Sequence, residues 1–126
     1  GNKISTSSLG IDYTLVDFGA SWCKPCRQET PTIKYALQKY PNNFAVYAVS
    51  LDDKRAAWQR AINEDSTQMF KHLIGTYPNG QRSRLLRQLN IEIIPTNFLI
   101  DNNQRIIAKD LHGERLIQVL DSLIQK

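Results

Sequence analysis

Short apolar runs along the chain alternate with segments in which apolar residues recur every three or four positions. The runs YTLVDF (13–18) and FAVYAVSL (44–51) are rich in β-branched and aromatic residues, which predicts two buried strands. Between them, over 24–40, apolar side chains return at helical spacing. Because a strand, a helix and a strand follow one another so closely, we expect a βαβ unit whose two strands lie parallel.

The second half of the sequence predicts more helices and an antiparallel pair of strands. The predicted elements are a helix over 54–64, an apolar segment over 69–74, a loop over 75–80, a helix over 81–89, strands over 93–100 and 105–111, and a helix over 114–124. The residues DNNQ between the last two strands favour a hairpin turn. The order β-α-β-α-(α)-β-β-α predicts an α/β sandwich with parallel and antiparallel strands in one sheet.

Length and charge limit the classes of function. A chain of 126 residues predicts a single domain over 1–126, which could itself be one domain of a longer exported chain. Its 16 basic residues are interleaved with 12 acidic ones, so we expect no nucleic-acid surface despite a net charge of +4. Residues 1–10 lack the features of a signal peptide, so they do not indicate export.

Both cysteines lie in the segment SWCKPC (21–26), between the first predicted strand and helix. Residues three apart in the first turn of a helix share one face, close enough for a disulfide between Cys23 and Cys26. The free N–H groups at a helix N-terminus stabilise a thiolate, and Lys24 adds a positive charge. Pro25 suits the first turn, where its missing N–H costs nothing. The pair is therefore placed to cycle between dithiol and disulfide.

Other uses of the two cysteines fit the sequence less well. A zinc site needs about four ligands, and the other soft candidates, His72 and His112, are isolated in the sequence, so we expect no metal. A c-type haem site requires histidine directly after the second cysteine, where Arg27 stands. A purely structural disulfide across so short a loop would gain little entropy. Redox chemistry is the favoured interpretation, and both histidines are interpreted as ordinary surface or hinge residues.

Two acidic residues are candidates for moving a proton to and from Cys26. Asp17 lies among apolar residues of the first strand, where a carboxylate is costly without a role or a partner. Glu29 lies one helical turn after Cys26. Either could accept the proton of the Cys26 thiol. The alternatives are a solvent-facing strand position for Asp17 and a surface position beside Arg27 for Glu29.

The segments VDFGASWCKPC and IPTNFLID, with Pro31 five residues after the second cysteine, resemble the thioredoxin superfamily. The closer resemblance is to its TlpA-like, extracytoplasmic branch of thiol-disulfide oxidoreductases, which VSLDDKRAAW (49–58) also matches. The resemblance extends from about residue 13 to the last helix. It implies a thioredoxin-like fold, in which a central mixed sheet carries helices on both faces.

The same resemblance implies roles for single residues. Cys23 would be the attacking thiol and Cys26 the resolving one. Pro95 would be a cis-proline, and Ile94 before it would lie against the sulfurs and pair its backbone with an extended substrate. The residues expected to contact substrate are Trp22, Lys24, Pro25, Ile94 and Pro95.

The resemblance also implies a reaction and its setting. We expect an enzyme that exchanges disulfides with protein thiols, without a cofactor, and that receives electrons from an upstream dithiol donor. Reduction of substrates is the expected direction, although the sequence does not determine it. The implied location is outside the cytoplasm, in a bacterial periplasm, and a membrane tether beyond this chain stays open.

Three features leave alternatives open. Gly19 stands where the family usually has an aromatic residue, which predicts looser packing behind the cysteines. Asp17 matches the buried acid of thioredoxins, whereas Glu29 matches an acid of some cytochrome-maturation members, so the proton acceptor is undecided. The alternative function is a non-catalytic thioredoxin-like binding module or a copper-delivery domain, with His72 as a third soft ligand. A peroxiredoxin is disfavoured because GASWC lacks the threonine and proline that its cysteine needs.

Overall fold

The computed structural model describes residues 10–77, 79 and 81–125. Within them the chain forms five strands and four helices. In order these are β1 (Tyr13–Gly19), α1 (Lys24–Lys39), β2 (Phe44–Ser50), α2 (Arg55–Glu64), β3 (Lys71–Ile74), α3 (Arg84–Gln88), β4 (Thr96–Asp101), β5 (Ile106–Lys109) and α4 (Glu114–Ile124). None of these helices is long and apolar enough to cross a membrane.

The strands form one sheet in the order β3-β2-β1-β4-β5. β1 and β2 are parallel, as the βαβ pattern predicts, and β2 and β3 are parallel as well. β4 runs antiparallel to both β1 and β5, which confirms the predicted hairpin. In this register Asp17 of β1 lies between Ala48 of β2 and Asn97 of β4. The α/β class and the mixed sheet are therefore as predicted.

Alternation along the strands divides the core into two layers. Leu15 and Leu99 face one side, where they pack with apolar residues of α1 and α4 such as Ile33 and Leu116. The next residue along each strand faces the other side, where Phe18 and Phe98 meet edge to face and pack with Leu86 of α3. Because successive side chains of a strand point to opposite faces, both faces are buried and helices cover each of them.

The sequence missed one strand. β3 lies inside the segment 69–74, for which only an apolar stretch was expected. It is four residues long and stands at the edge of the sheet, where its residues alternate between exposed and half-buried. So short an alternation gives little strand signal, which explains the error.

Two predicted boundaries were also wrong. The helix expected over 81–89 begins only at Arg84, because the Ser83 hydroxyl caps it by accepting the N–H of Leu86, and Arg82 instead bridges to Thr76. The strand expected from residue 93 begins at Thr96, directly after Pro95. The predictions for residues 1–9 and for positions 78 and 80 of the loop lie outside the described residues.

Candidate active site

The two cysteines lie at the beginning of α1, just beyond the carboxyl end of β1. Cys23 is the N-cap residue, and its Sγ accepts the backbone N–H of Cys26 at 3.3 Å. Cys23 and Cys26 form a disulfide, with their Cα atoms 5.3 Å apart. Pro25 occupies the first turn of the helix, where the absence of its N–H leaves no hydrogen bond unmade. The geometry therefore fits the dithiol–disulfide pair that the sequence predicts.

The surface around the disulfide is apolar and open. Trp22 is 66% exposed, and Lys24 and Pro25 are exposed beside it. Cys23 itself retains only 6% exposure. The disulfide thus lies beside an exposed aromatic ring and an exposed lysine.

The opposite side of the rim comes from the segment before β4. The peptide bond between Ile94 and Pro95 is cis, in agreement with the expectation from the sequence. Ile94 is half-buried and packs against the apolar cluster that contains Cys23. Ile93, the neighbour of Ile94 along the chain, is 79% exposed, and the sequence interpretation did not single it out. The only sequence signal for Ile93 was a bulky apolar residue next to the proline motif.

A cavity of about 90 Å³ lies behind the disulfide. Its walls include Asp17, Gly19 and Cys26, together with Trp58 and His72 from elements farther along the chain. A methyl group added at Gly19 would lie 3.3 Å from Cβ of Cys26 and 3.5 Å from its Sγ. The absence of a side chain at residue 19 therefore leaves open space next to the second cysteine, which is where looser packing was expected.

Asp17 faces this space from the middle of β1. Its removal from bulk water and, to a smaller extent, the negative charge of Glu29 together raise the pKa of the carboxyl from 3.8 to about 7. No side chain among the described residues donates a hydrogen bond to it. Asp17 is thus not the solvent-facing strand residue of the alternative interpretation, and it is suited to exchange a proton with a neighbour near neutral pH.

Glu29 and Arg27 lie near each other on α1 but contact different residues. Oε1 of Glu29 lies 2.8 Å from Nδ1 of His112. Arg27 instead forms a two-pronged ion pair with Asp65 and a further one with Glu64, which ties α1 to the end of α2. His112, interpreted from the sequence as a surface or hinge residue, is partly exposed and contacts a candidate site residue.

His72 lies in the edge strand β3, where it is half-buried. Its Nε2 lies 2.8 Å from the carbonyl oxygen of Thr67. Burial lowers the pKa of its imidazole, against the opposing effect of that hydrogen bond. Although His72 and Cys26 line the same cavity, the described residues include no group of three or more His, Cys, Asp or Glu side chains arranged to hold a metal ion. The contacts of the described residues do not favour copper delivery over disulfide exchange.

A family model described as thioredoxin-like matches residues 10–106. This chain belongs to the thioredoxin-like family. The order of elements, the CxxC pair at the start of α1 and the mixed sheet agree with this assignment. The fold class predicted from the sequence is thereby confirmed.

Relatives and solved structures narrow the assignment. The chain is 26% identical to the thiol-disulfide oxidoreductase ResA of Bacillus cereus over 133 residues, covering all of this chain and 69% of that protein. It is 33% identical to a DsbE homolog of Paracoccus denitrificans, over 75% of this chain and 48% of the relative. These relatives confirm the resemblance to the TlpA-like branch, and they assign this thioredoxin-like chain to the thiol-disulfide oxidoreductases.

A solved structure agrees with that assignment. A thiol-disulfide oxidoreductase from Bacteroides fragilis superposes with a TM-score of 0.81 at 32% identity, covering 95% of this chain and 87% of that one. The chain spans 62% of another relative, the thioredoxin-like protein YneN of Bacillus subtilis. Some relatives thus contain sequence beyond the part that matches this chain.

Proposed function

We propose that this chain reduces disulfides in protein substrates, with Cys23 as the attacking thiol and Cys26 as the resolving one. The observation that carries the proposal is the position of Cys23 at the N-cap of α1, where its Sγ accepts the N–H of Cys26. In the reduced protein the same N–H and the helix dipole would stabilise a Cys23 thiolate. The exposed rim of Trp22 and Ile93 offers a substrate an apolar surface next to that sulfur.

The reaction begins when the Cys23 thiolate attacks one sulfur of a substrate disulfide. A bond forms between Cys23 and that sulfur, the substrate disulfide breaks, and the other substrate sulfur leaves as a thiolate. An extended substrate segment would lie along the backbone of Ile94, as an added strand lies along an edge. Lys24 and Pro25 border the same path at the start of α1, and Pro95 fixes the end of the segment from which Ile94 projects.

The second step releases the reduced substrate. Cys26 gives its proton to Asp17, and the resulting thiolate attacks Cys23, so that the Cys23–Cys26 disulfide forms and the second substrate sulfur leaves as a thiolate. Two electrons pass from the enzyme dithiol to the substrate. Asp17 supports this role because it lines the same cavity as Cys26 and has a pKa raised to about 7. Glu29 then acts on Asp17 rather than on Cys26 directly.

A separate dithiol protein must return two electrons to the oxidised enzyme before the next turnover. We infer a location outside the cytoplasm for this cycle, on the basis of the resemblance to the TlpA-like branch. Fractionation of cells that produce the full-length protein tests the location and any membrane tether. Recovery in the cytoplasm would contradict this part of the proposal.

The direction of the reaction is tested by the equilibrium reduction potential of the Cys23–Cys26 pair, measured in a series of thiol–disulfide buffers. A potential near that of thioredoxin, about −270 mV, is expected for a reductase. A potential near that of DsbA, about −120 mV, would make the protein an oxidant. A non-catalytic binding module would leave insulin disulfides intact, whereas the proposed enzyme reduces them in the presence of a small dithiol.

A further inference from the structure

A chain of polar contacts joins α1 to the strand that follows the cis-proline. Oε1 of Glu29 lies 2.8 Å from Nδ1 of His112, and Nε2 of the same ring lies 3.8 Å from Oδ1 of Asp110. The hydroxyl of Thr96, the residue directly after Pro95, donates a hydrogen bond of 2.6 Å to that Asp110 oxygen. One imidazole thus connects the helix of the cysteines with the segment expected to bind substrate.

The position of His112 is fixed by β4. The buried Asn97 side chain donates to the carbonyl of Leu111 and accepts the N–H of Leu111, at 3.0 and 2.9 Å. The N–H of Asp110 also bonds to the Asn97 carbonyl. Because Asn97 lies directly opposite Asp17 in the sheet, their side chains share one face. His112 is therefore held at the face where Asp17 and Glu29 interact.

The charges at this face are mainly negative. Asp17 comes from β1, Glu29 from α1, and Asp110 from the segment between β5 and α4. The charge of Glu29 acts on Asp17 across a gap, without a direct hydrogen bond. Among the described residues, His112 contacts Glu29. When protonated, His112 would offset part of the negative charge at this face. Its side chain is 39% exposed, so it can exchange protons with solvent.

We propose that His112 is a positioning residue for the resolving step, which holds Glu29 and adjusts how readily Asp17 accepts the proton of Cys26. The role rests on the proposed function, because it matters only if Cys26 resolves a mixed disulfide. Contact with the imidazole holds the Glu29 side chain in place, and a positive charge on His112 would offset part of the Glu29 charge. Without His112 the negative charge of Glu29 acts on Asp17 unopposed, which raises the pKa of Asp17 further.

The test separates the two chemical steps in single-turnover reactions of the reduced protein with the aromatic disulfide dithiobisnitrobenzoate. Attack by Cys23 releases the first thionitrobenzoate, and attack by Cys26 on the mixed disulfide releases the second. For His112→Ala we expect the second release to slow by about threefold to tenfold at pH 7, with its pH profile displaced to higher pH. The first release should change by less than about twofold.

Three further variants complete the test. His112→Gln retains a donor for Glu29 without a charge, so it should fold like the wild type and still displace the profile, which keeps the test decisive if His112→Ala is unstable. Arg115→Gln removes one positive charge from a nearby exposed residue and should leave both releases unchanged. Combined with Glu29→Gln, the His112 substitution should have little added effect.

The outcomes distinguish this proposal from the proposed function. If the wild-type protein fails to release a second thionitrobenzoate, the resolving role of Cys26 is wrong and the proposed function falls. If the wild type releases both but the His112 variants match it in rate and pH profile, only the role of His112 is overturned. The role of His112 is also overturned if Arg115→Gln slows the second release by the same factor. It is overturned as well if the effects of the His112 substitution and of Glu29→Gln on that release add in full.

Discussion

The carboxylate of Asp52 accepts two hydrogen bonds from Ser21, one from its N–H at 2.9 Å and one from its hydroxyl at 2.5 Å. The hydroxyl of Ser50 donates a third, and Asp52 is only 2% exposed. Ser21 lies two residues before Cys23. A buried carboxylate at the end of β2 therefore fixes the loop that delivers the reactive pair to the start of α1.

Replacing Asp52 tests this anchoring. Asp52→Asn removes the negative charge that strengthens the hydrogen bonds from Ser21 and Ser50, and its amide N–H₂ group can be accommodated only if a serine hydroxyl turns to accept from it. We expect the free energy of unfolding to fall by about 1 to 3 kcal/mol in chemical denaturation. The control is Asp53→Asn at the exposed neighbouring residue, which should change it by less than about 0.5 kcal/mol. Equal effects of the two variants would show that Asp52 does not anchor the loop.

The half-buried carboxyl of Asp17 makes stability depend on pH in an unusual direction. The pKa of Asp17 rises from 3.8 to about 7 on folding, so between these values the unfolded chain ionises while the folded chain keeps its proton. The free energy of unfolding therefore falls as pH rises from about 4 to 7. Residue 17 cannot ionise in Asp17→Asn. The free energy of unfolding of this variant should therefore rise relative to that of the wild type across this window, by up to about 4 kcal/mol above pH 7.

Urea unfolding of the oxidised wild-type and Asp17→Asn proteins at a series of pH values measures this difference. We expect the difference in the free energy of unfolding to grow between pH 4 and 7 and then to level off. A difference that stays constant across the series would mean that Asp17 ionises freely in the folded protein. It would also remove the reason to assign the proton transfer to this residue.

The cavity beside Cys26 predicts an unequal tolerance of two glycines. A methyl group at Gly19 would lie 3.3 Å from Cβ of Cys26 and 3.5 Å from its Sγ, so the start of α1 has to move by a few tenths of an ångström. At Gly75 it would meet Leu86 at 2.9 Å and both Ser50 and Val49 at 3.1 Å. We expect Gly75→Ala to cost about 1 to 3 kcal/mol and Gly19→Ala less than about 1 kcal/mol.

Thermal unfolding of the two oxidised variants side by side measures the contrast. If Gly19→Ala proves as destabilising as Gly75→Ala, the start of α1 cannot shift away from residue 19. A smaller cost at residue 19 would instead indicate that the space can accept a side chain.

Elements with strong local patterns were predictable from the sequence. The final helix was predicted at its observed bounds, Glu114–Ile124, because its apolar residues repeat at helical spacing. β1 and α1 were found within a residue or so for the same reason. β3 was missed because it is a short edge strand that the parallel pairing with β2 stabilises, and the sequence does not show that pairing.

The site was predictable only where its residues lie in one motif. Cys23 and Cys26 were recognisable from their spacing, and Pro95 from its context. His112 meets Glu29 across 83 positions of sequence, and this contact depends on how Asn97 holds Leu111. No local pattern encodes that geometry, so the two histidines were interpreted as surface residues.

Trapping of a mixed disulfide directly tests whether Cys23 is the attacking sulfur. Reduced Cys26→Ser protein is mixed with oxidised insulin, quenched with acid and analysed by mass spectrometry, with Cys23→Ser as the matched control. We expect Cys26→Ser to retain an insulin chain on Cys23 until a small dithiol releases it. Cys23→Ser should retain none. Capture by Cys23→Ser but not by Cys26→Ser would contradict the assignment of the attacking sulfur.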